Sequence, residues 1–163
     1  MNSTHLSFAS APTAGKALTW KDDFSVGNEA IDALHREFLH LLEHLCLSDD
    51  DGVQENFEQI GRHLFQHFEE ETALMSKFSY PVAQCHEDEH ARVLDSFHEI
   101  LQLADQTNRL KVMRNFGFAL KDWFPAHTTY LDAPLAHWIS KQRFGGKPIV
   151  IRKYTGSELK ISN

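Results

Sequence analysis

The sequence predicts an all-α fold, an antiparallel up-down-up-down four-helix bundle of the kind that encloses ligands in its core. Four long stretches carry apolar residues at three- and four-residue steps, the period of a helix with one buried face. The links between them are short and rich in Ser, Asp, Gly and Pro. Short links force neighbouring helices to run antiparallel. A chain of 163 residues also suits a single domain with a core of its own.

Residues 1–19 (MNSTHLSFASAPTAGKALT) are small and polar with a proline, and read as a flexible N-terminal arm. The bundle is expected over 20–140. WKDDFSVGNEAI reads as an ordered lead-in, with a turn at Val26-Gly27 and Asn28 as helix cap. The first helix fits 29–48 through Ile31, Leu34, Phe38, Leu41, Leu42 and Leu45. SDDDG at 48–52 closes it and caps the second, at 53–77, whose stripe is Val53, Phe57, Ile60, Leu64, Phe68, Leu74 and Met75. Ser79-Tyr80-Pro81 ends that helix, because proline cannot continue it. A third helix, 82–106, is expected to bury Val82, Val93, Phe97, Ile100 and Ala104. The fourth, 108–139, uses Leu110, Met113, Phe116, Leu120, Trp123 and Leu131. Phe144-Gly145-Gly146 ends the helical region, and Pro148-Ile149-Val150-Ile151 has strand character within a C-terminal extension at 141–163.

A net charge of −7 argues against nucleic acid as the main partner, since phosphate binding needs a basic footprint. The charge is uneven: 141–163 hold six Lys or Arg against one Glu, and the remainder holds ten basic and twenty-two acidic residues. The basic extension is suited to folding back on the body or to meeting an acidic protein partner. Cys46 and Cys85 form no metal or redox motif and are expected to be buried free thiols. No signal pattern or long apolar run is present, so a soluble, cytoplasmic setting without membrane contact is expected.

Chemistry enters with polar residues inside the apolar stripes. His35, His67 and Glu71 (HFEEE), His86 and His90 (HEDEH), and His127 and Asp132 (HTTYLD) come from four different helices. A lone inward histidine is more often a hydrogen-bonded core residue than a ligand. Seven such groups in one core are another matter: each buried without a partner costs about 1–3 kcal/mol, and ionised carboxylates cost more. Shared cations resolve that cost. Imidazole and carboxylate without thiolate suit iron, manganese, zinc or copper, and seven donors exceed what one ion coordinates. One spacing is awkward. His127 and Asp132 are five apart, roughly 140° around an ideal helix, so the helix is expected to widen there, with Pro125 adding a kink.

With these residues in hand, the chain resembles the hemerythrins, and specifically the single-domain bacteriohemerythrins, over about 20–139. The motifs that carry the resemblance are W…FSVGNEAID leading to His35, HFEEETALM, YPVAQCHEDEH and DWFPAHTTYLD. The resemblance implies a non-heme pair of iron ions that binds dioxygen reversibly, for storage, delivery or buffering, without enzymatic turnover. It implies that His86, His90 and His127 hold one iron and His35 and His67 the other. Glu71 and Asp132 would bridge them beside an oxo or hydroxo group, leaving the second iron one open position for dioxygen. Phe38, Phe68, Trp123 and Phe124 fall where the family lines its pocket. Thr128 stands where an aliphatic residue is usual, and Pro125 is unexpected inside a helix; a hydroxyl there would admit water or bond the ligand.

Rival readings are a redox or oxygen sensor acting through a separate partner, and a di-iron protein handling peroxide, nitric oxide or iron. HEDEH also satisfies the HExxH zinc-protease motif with Glu87 as base, yet that leaves His35, His67, Glu71, His127 and Asp132 without a role. His5, His40, His44, His98 and His137 read as exposed or structural. His63 shares the stripe of His67 and Glu71 and reads as a supporting residue or substitute ligand.

Overall fold

The computed structural model describes residues 24–145 apart from 104, with the side chains of 106 and 107 also left aside. All of the expected N-terminal arm, the start of the lead-in at Trp20, and most of the C-terminal extension with the strand-like Pro148–Ile151 lie outside these residues. Helices α1 (Glu29–Leu47), α2 (Val53–Lys77), α3 (Ala83–Leu101) and α4 (Gln106–His127) pack in a closed ring of neighbours. A π-helical turn, Thr128–Asp132, continues α4 without a break into α5 (Ala133–Phe144). The four rods alternate in direction, as the short links require. No helix among the described residues is long and apolar enough to cross a membrane.

Local chemistry sets the ends. Gly27 adopts a left-handed φ of 78°, and Asn28 Oδ1 then accepts from the amides of Ala30 and Ile31 at 3.2 and 3.4 Å. Gly145, left-handed at φ 62°, closes α5. Three departures from expectation concern α3. It ends at Leu101, short of the expected 106, and the expected core residue Ala104 lies outside the described residues. Val82 precedes the helix in the Pro81 turn and is 55% exposed instead of buried. Cys85 is likewise exposed, one position off the inward face that His86 occupies, while Cys46 is half-buried with its thiol pushed up to about 11 by burial.

The π-helical turn has a physical origin in two prolines. Pro125 and Pro134 lack amide hydrogens, so the α-helical ladder loses a rung on either side of the turn. Thr129 Oγ1 donates to the Pro125 carbonyl at 2.8 Å, competing with the backbone for it. The amide of Ala133 bonds the Thr128 carbonyl, a five-residue step. Five-residue bonding brings residues five apart onto one face, which is the widening that His127 and Asp132 call for.

Apolar residues form two clusters with the polar core residues between them. The larger runs from Phe38 and Phe68 through Phe57, Phe97 and Phe116, and the smaller holds Ile31, Met75, Leu135, Ala136 and Ile139. At the α2–α3 crossing a Cβ on Gly61 would sit 2.1 Å from Phe97 Cζ, and Phe97 stacks on Phe57 with ring centroids 4.6 Å apart. Gly61→Ala would add about 1 kcal/mol on helix propensity alone. Overpacking a closed core costs about 1–3 kcal/mol or more, and here no flexible chain end can give way. The expected outcome is a net loss of stability and a lower denaturation midpoint in urea; a rise in the midpoint would contradict this packing.

Candidate metal centre

Helical spacing delivers the donors. His67 and Glu71 lie one turn apart on α2, His86 and His90 one turn apart on α3, His35 on the inner face of α1, and His127 precedes the π-helical turn that Asp132 ends. All seven are 0–4% exposed. They meet in two adjoining groups.

In the first group, His90 Nε2 lies 3.1 Å and His86 Nε2 3.3 Å from His127 Nε2. Glu71 Oε2 approaches His86 and His90 at 3.3 and 3.2 Å, and Asp132 Oδ1 approaches His86 and His127 at 3.1 Å each. In the second, His67 Nε2 is 3.3 Å from Glu71 Oε1, and His35 Nε2 is 3.1 Å from Asp132 Oδ2. Each carboxylate therefore gives one oxygen to each group. The first group gathers five donor atoms; in the second, His35, His67 and Glu71 converge, and Asp132 Oδ2 adds a fourth donor through its contact with His35.

These short contacts are not ordinary hydrogen bonds. Glu71 Oε2, both Asp132 oxygens and His35 Nε2 have no hydrogen-bond partner despite their neighbours. Three imidazole nitrogens facing one another cannot all be satisfied by their own protons. A cation at each point of convergence satisfies these lone pairs together, so the donor set fits two metal ions, and its nitrogen-and-oxygen character fits iron. The cluster is buried, negatively charged through Glu71 and Asp132, and without thiolate.

In the metal-free chain the same groups perturb one another. Burial pulls His86 down, but the carboxylates of Asp132 and Glu71, 3.1 and 3.3 Å from its Nε2, outweigh it and lift it to about 9. Burial pushes His90 down to about 4, and also His63. Burial and mutual repulsion push Glu71 and Asp132 up, yet the histidines around them hold both well below the carboxylate range. The signs oppose. Stability from charged His86 is complete below its ordinary 6.5 and is lost as pH rises through about 9. Neutral His90 and His63 favour folding above 6.5 and lose that advantage as pH falls towards 4. The metal-free chain should therefore melt highest near pH 6.5, with the alkaline decline removed once cations replace the His86 proton. Melting temperatures of both forms across pH 4–9.5 check this, and a metal-free profile rising to the alkaline end would contradict it.

The aromatic residues expected to line the site divide between its two sides. Phe68 stacks on His90 at 3.7 Å and Trp123 on His127 at 4.1 Å, both against the five-donor group. Phe124 meets His35 edge-on at 5.1 Å and packs on Phe38 at 4.9 Å, against the four-donor group. Thr128 is buried in the π-helical turn, and its Oγ1 has no partner. His63, also buried, has its ring 5.5 Å from His67 but joins neither donor group. His40, His44, His98 and His137 are exposed, as expected.

Three supporting residues escape sequence reading. The Phe24 carbonyl faces His35 Nδ1 at 3.4 Å, the contact that orients ligand histidines. Buried Asp32 holds that segment in place, accepting from Ser25 Oγ at 2.8 Å and the Val26 amide at 2.7 Å. Glu89 accepts from Trp123 Nε1 at 2.9 Å and steadies the indole over His127. Asp32 had a signal, an acid one turn before His35 on the same inward face; Glu89 had none.

Fold and site together define a four-helix bundle with a buried cation-binding cluster. The family model for the hemerythrin HHE cation binding domain matches residues 26–133. The chain belongs to the hemerythrin family. It is 26% identical over 125 residues to a bacteriohemerythrin of Ralstonia nicotianae, covering 77% of this chain and 90% of that protein. It is 30% identical over 77 residues to a bacteriohemerythrin of Stenotrophomonas maltophilia, covering 45% of this chain and 50% of that one. No solved structure matches it significantly.

Proposed function

We propose that this chain binds dioxygen reversibly at two non-heme iron ions, as a carrier, store or buffer and not as an enzyme. His86, His90 and His127 would hold one ion, His35 and His67 the other, with Glu71 and Asp132 bridging. The observation that carries the reading is the inequality of the two groups, five donor atoms against four around shared carboxylates. An ion held by the smaller set keeps room for a small ligand. Iron would supply the electrons and the binding position.

The protein residues do the rest. Glu71 and Asp132 hold negative charge between the two positions, which favours a pair of cations over one. Phe38 and Phe124 wall the four-donor side with apolar surface and exclude water, the condition under which a reduced centre resists irreversible oxidation. The Phe24 carbonyl fixes the His35 ring. The relatives' names, bacteriohemerythrin, support the same reading.

Cycling the reduced, iron-loaded chain between dioxygen and argon tests it: the visible spectrum should return to its starting form over repeated cycles. Permanent change on the first exposure would overturn the carrier role. Thr128 modulates that lifetime, because its buried hydroxyl offers water a polar foothold beside His127. Thr128→Ile should slow autoxidation, because an apolar side chain around a metal site restricts the access of water. An equal or faster rate of spectral decay would contradict this role.

A further inference from the structure

The seven donors are so deeply buried that a hydrated cation must shed its water on the way in. Moving a bare ion into the core costs several kcal/mol even after relaxation, so a route needs donors that replace that water step by step. Two polar residues near the cluster are already committed to other partners. Asp32 is occupied by Ser25 and the Val26 amide, and Glu89 is paired with Arg92 and with the Trp123 indole.

Between α1 and α2 the situation differs. The Glu37 side chain is 63% exposed, and its Oε2 lies 3.6 Å from Nδ1 of His63, whose side chain is 3% exposed. At the other edge of that ring, Nε2 is buried without a partner. The His63 ring is 5.5 Å from that of His67, which is 5.3 Å from that of His35. Phe38 stacks on His63 and holds it in the wall. An imidazole nitrogen with no partner of its own can offer a lone pair to a cation.

Resting on the two-metal reading above, we propose that Glu37 and His63 form a portal site, a transient ligand pair for a divalent cation travelling from solvent to the four-donor group. Glu37 attracts the hydrated ion. His63 takes it through the wall and passes it to His67 and His35. Neither residue belongs to the resident set, so both should govern the rate of loading and not its extent.

Anaerobic mixing of the metal-free full chain with Co2+, followed by visible absorption and by metal analysis at the end, separates these roles. His63→Leu should slow uptake about tenfold, the effect of about 1.4 kcal/mol at the limiting barrier. Glu37→Gln, a surface change that leaves packing intact, should slow it less. Both should finish with the same number of ions as the unaltered chain. Unchanged rates in both variants would overturn the portal, and a reduced final count in His63→Leu would make His63 a resident ligand instead. Failure of the unaltered chain to take up two ions would sink the two-metal reading itself, an outcome distinct from either.

Discussion

Asp132→Ala is expected to abolish paired metal binding. Asp132 touches both donor groups, Oδ1 reaching His86 and His127 and Oδ2 reaching His35, each at 3.1 Å. Among the described residues Glu71 is the one other carboxylate in the cluster, and the π-helical turn brings Asp132 to the inner face. Removing a partner outside the ligand shell already costs about 10–100-fold in metal affinity; removing a shared ligand should exceed that. The metal-free protein should change as well. Asp132 is the largest influence lifting His86 against burial, so that histidine should lose its proton at lower pH in the variant. Competitor titration with a metal chelator reads the first effect, and NMR titration of the imidazole reads the second. Retention of two ions at near-normal affinity would show that Asp132 is not a shared ligand.

The second large effect separates the two groups. His35→Ala and His67→Ala remove donors from the four-donor side only, leaving His86, His90, His127 and both carboxylates in place. These variants should keep one ion per chain and lose the dioxygen response altogether. His86→Ala acts differently, because its Nε2 contacts both Glu71 Oε2 and Asp132 Oδ1. It should destabilise the ion on the five-donor side and leave a residual, weakened response. Iron analysis paired with spectra under dioxygen distinguishes these patterns. Equal loss from all three substitutions would remove the basis for placing the open position beside His35 and His67.

Much of this molecule is legible in its sequence because its two signals reinforce each other. Apolar periodicity placed α2 at Val53–Lys77 to the residue, since Gly52 and the Ser79–Pro81 turn bound it sharply. The donors were legible because polar groups interrupt a buried stripe, where solvation cannot explain them. Pattern alone ran too far at Val82, where the period continued through a turn that carries the residue into solvent. The general tendency of free thiols to be buried misjudged Cys85, whose neighbour His86 holds the inward position. The five-residue step from His127 to Asp132 pointed to a widened helix, although the part played by Pro134 and the Thr129 hydroxyl emerges only from the hydrogen bonds. Backbone contacts such as the Phe24 carbonyl on His35 leave no trace in residue identity, since any residue carries a carbonyl. Tertiary placement decides them.

Iron stoichiometry measured together with the visible spectrum, on full-length protein loaded anaerobically and then opened to air, tests the account most directly. It predicts about two irons per chain and a colour change that argon reverses. A folded chain holding one iron or none, or holding two with no optical response to dioxygen, would contradict it.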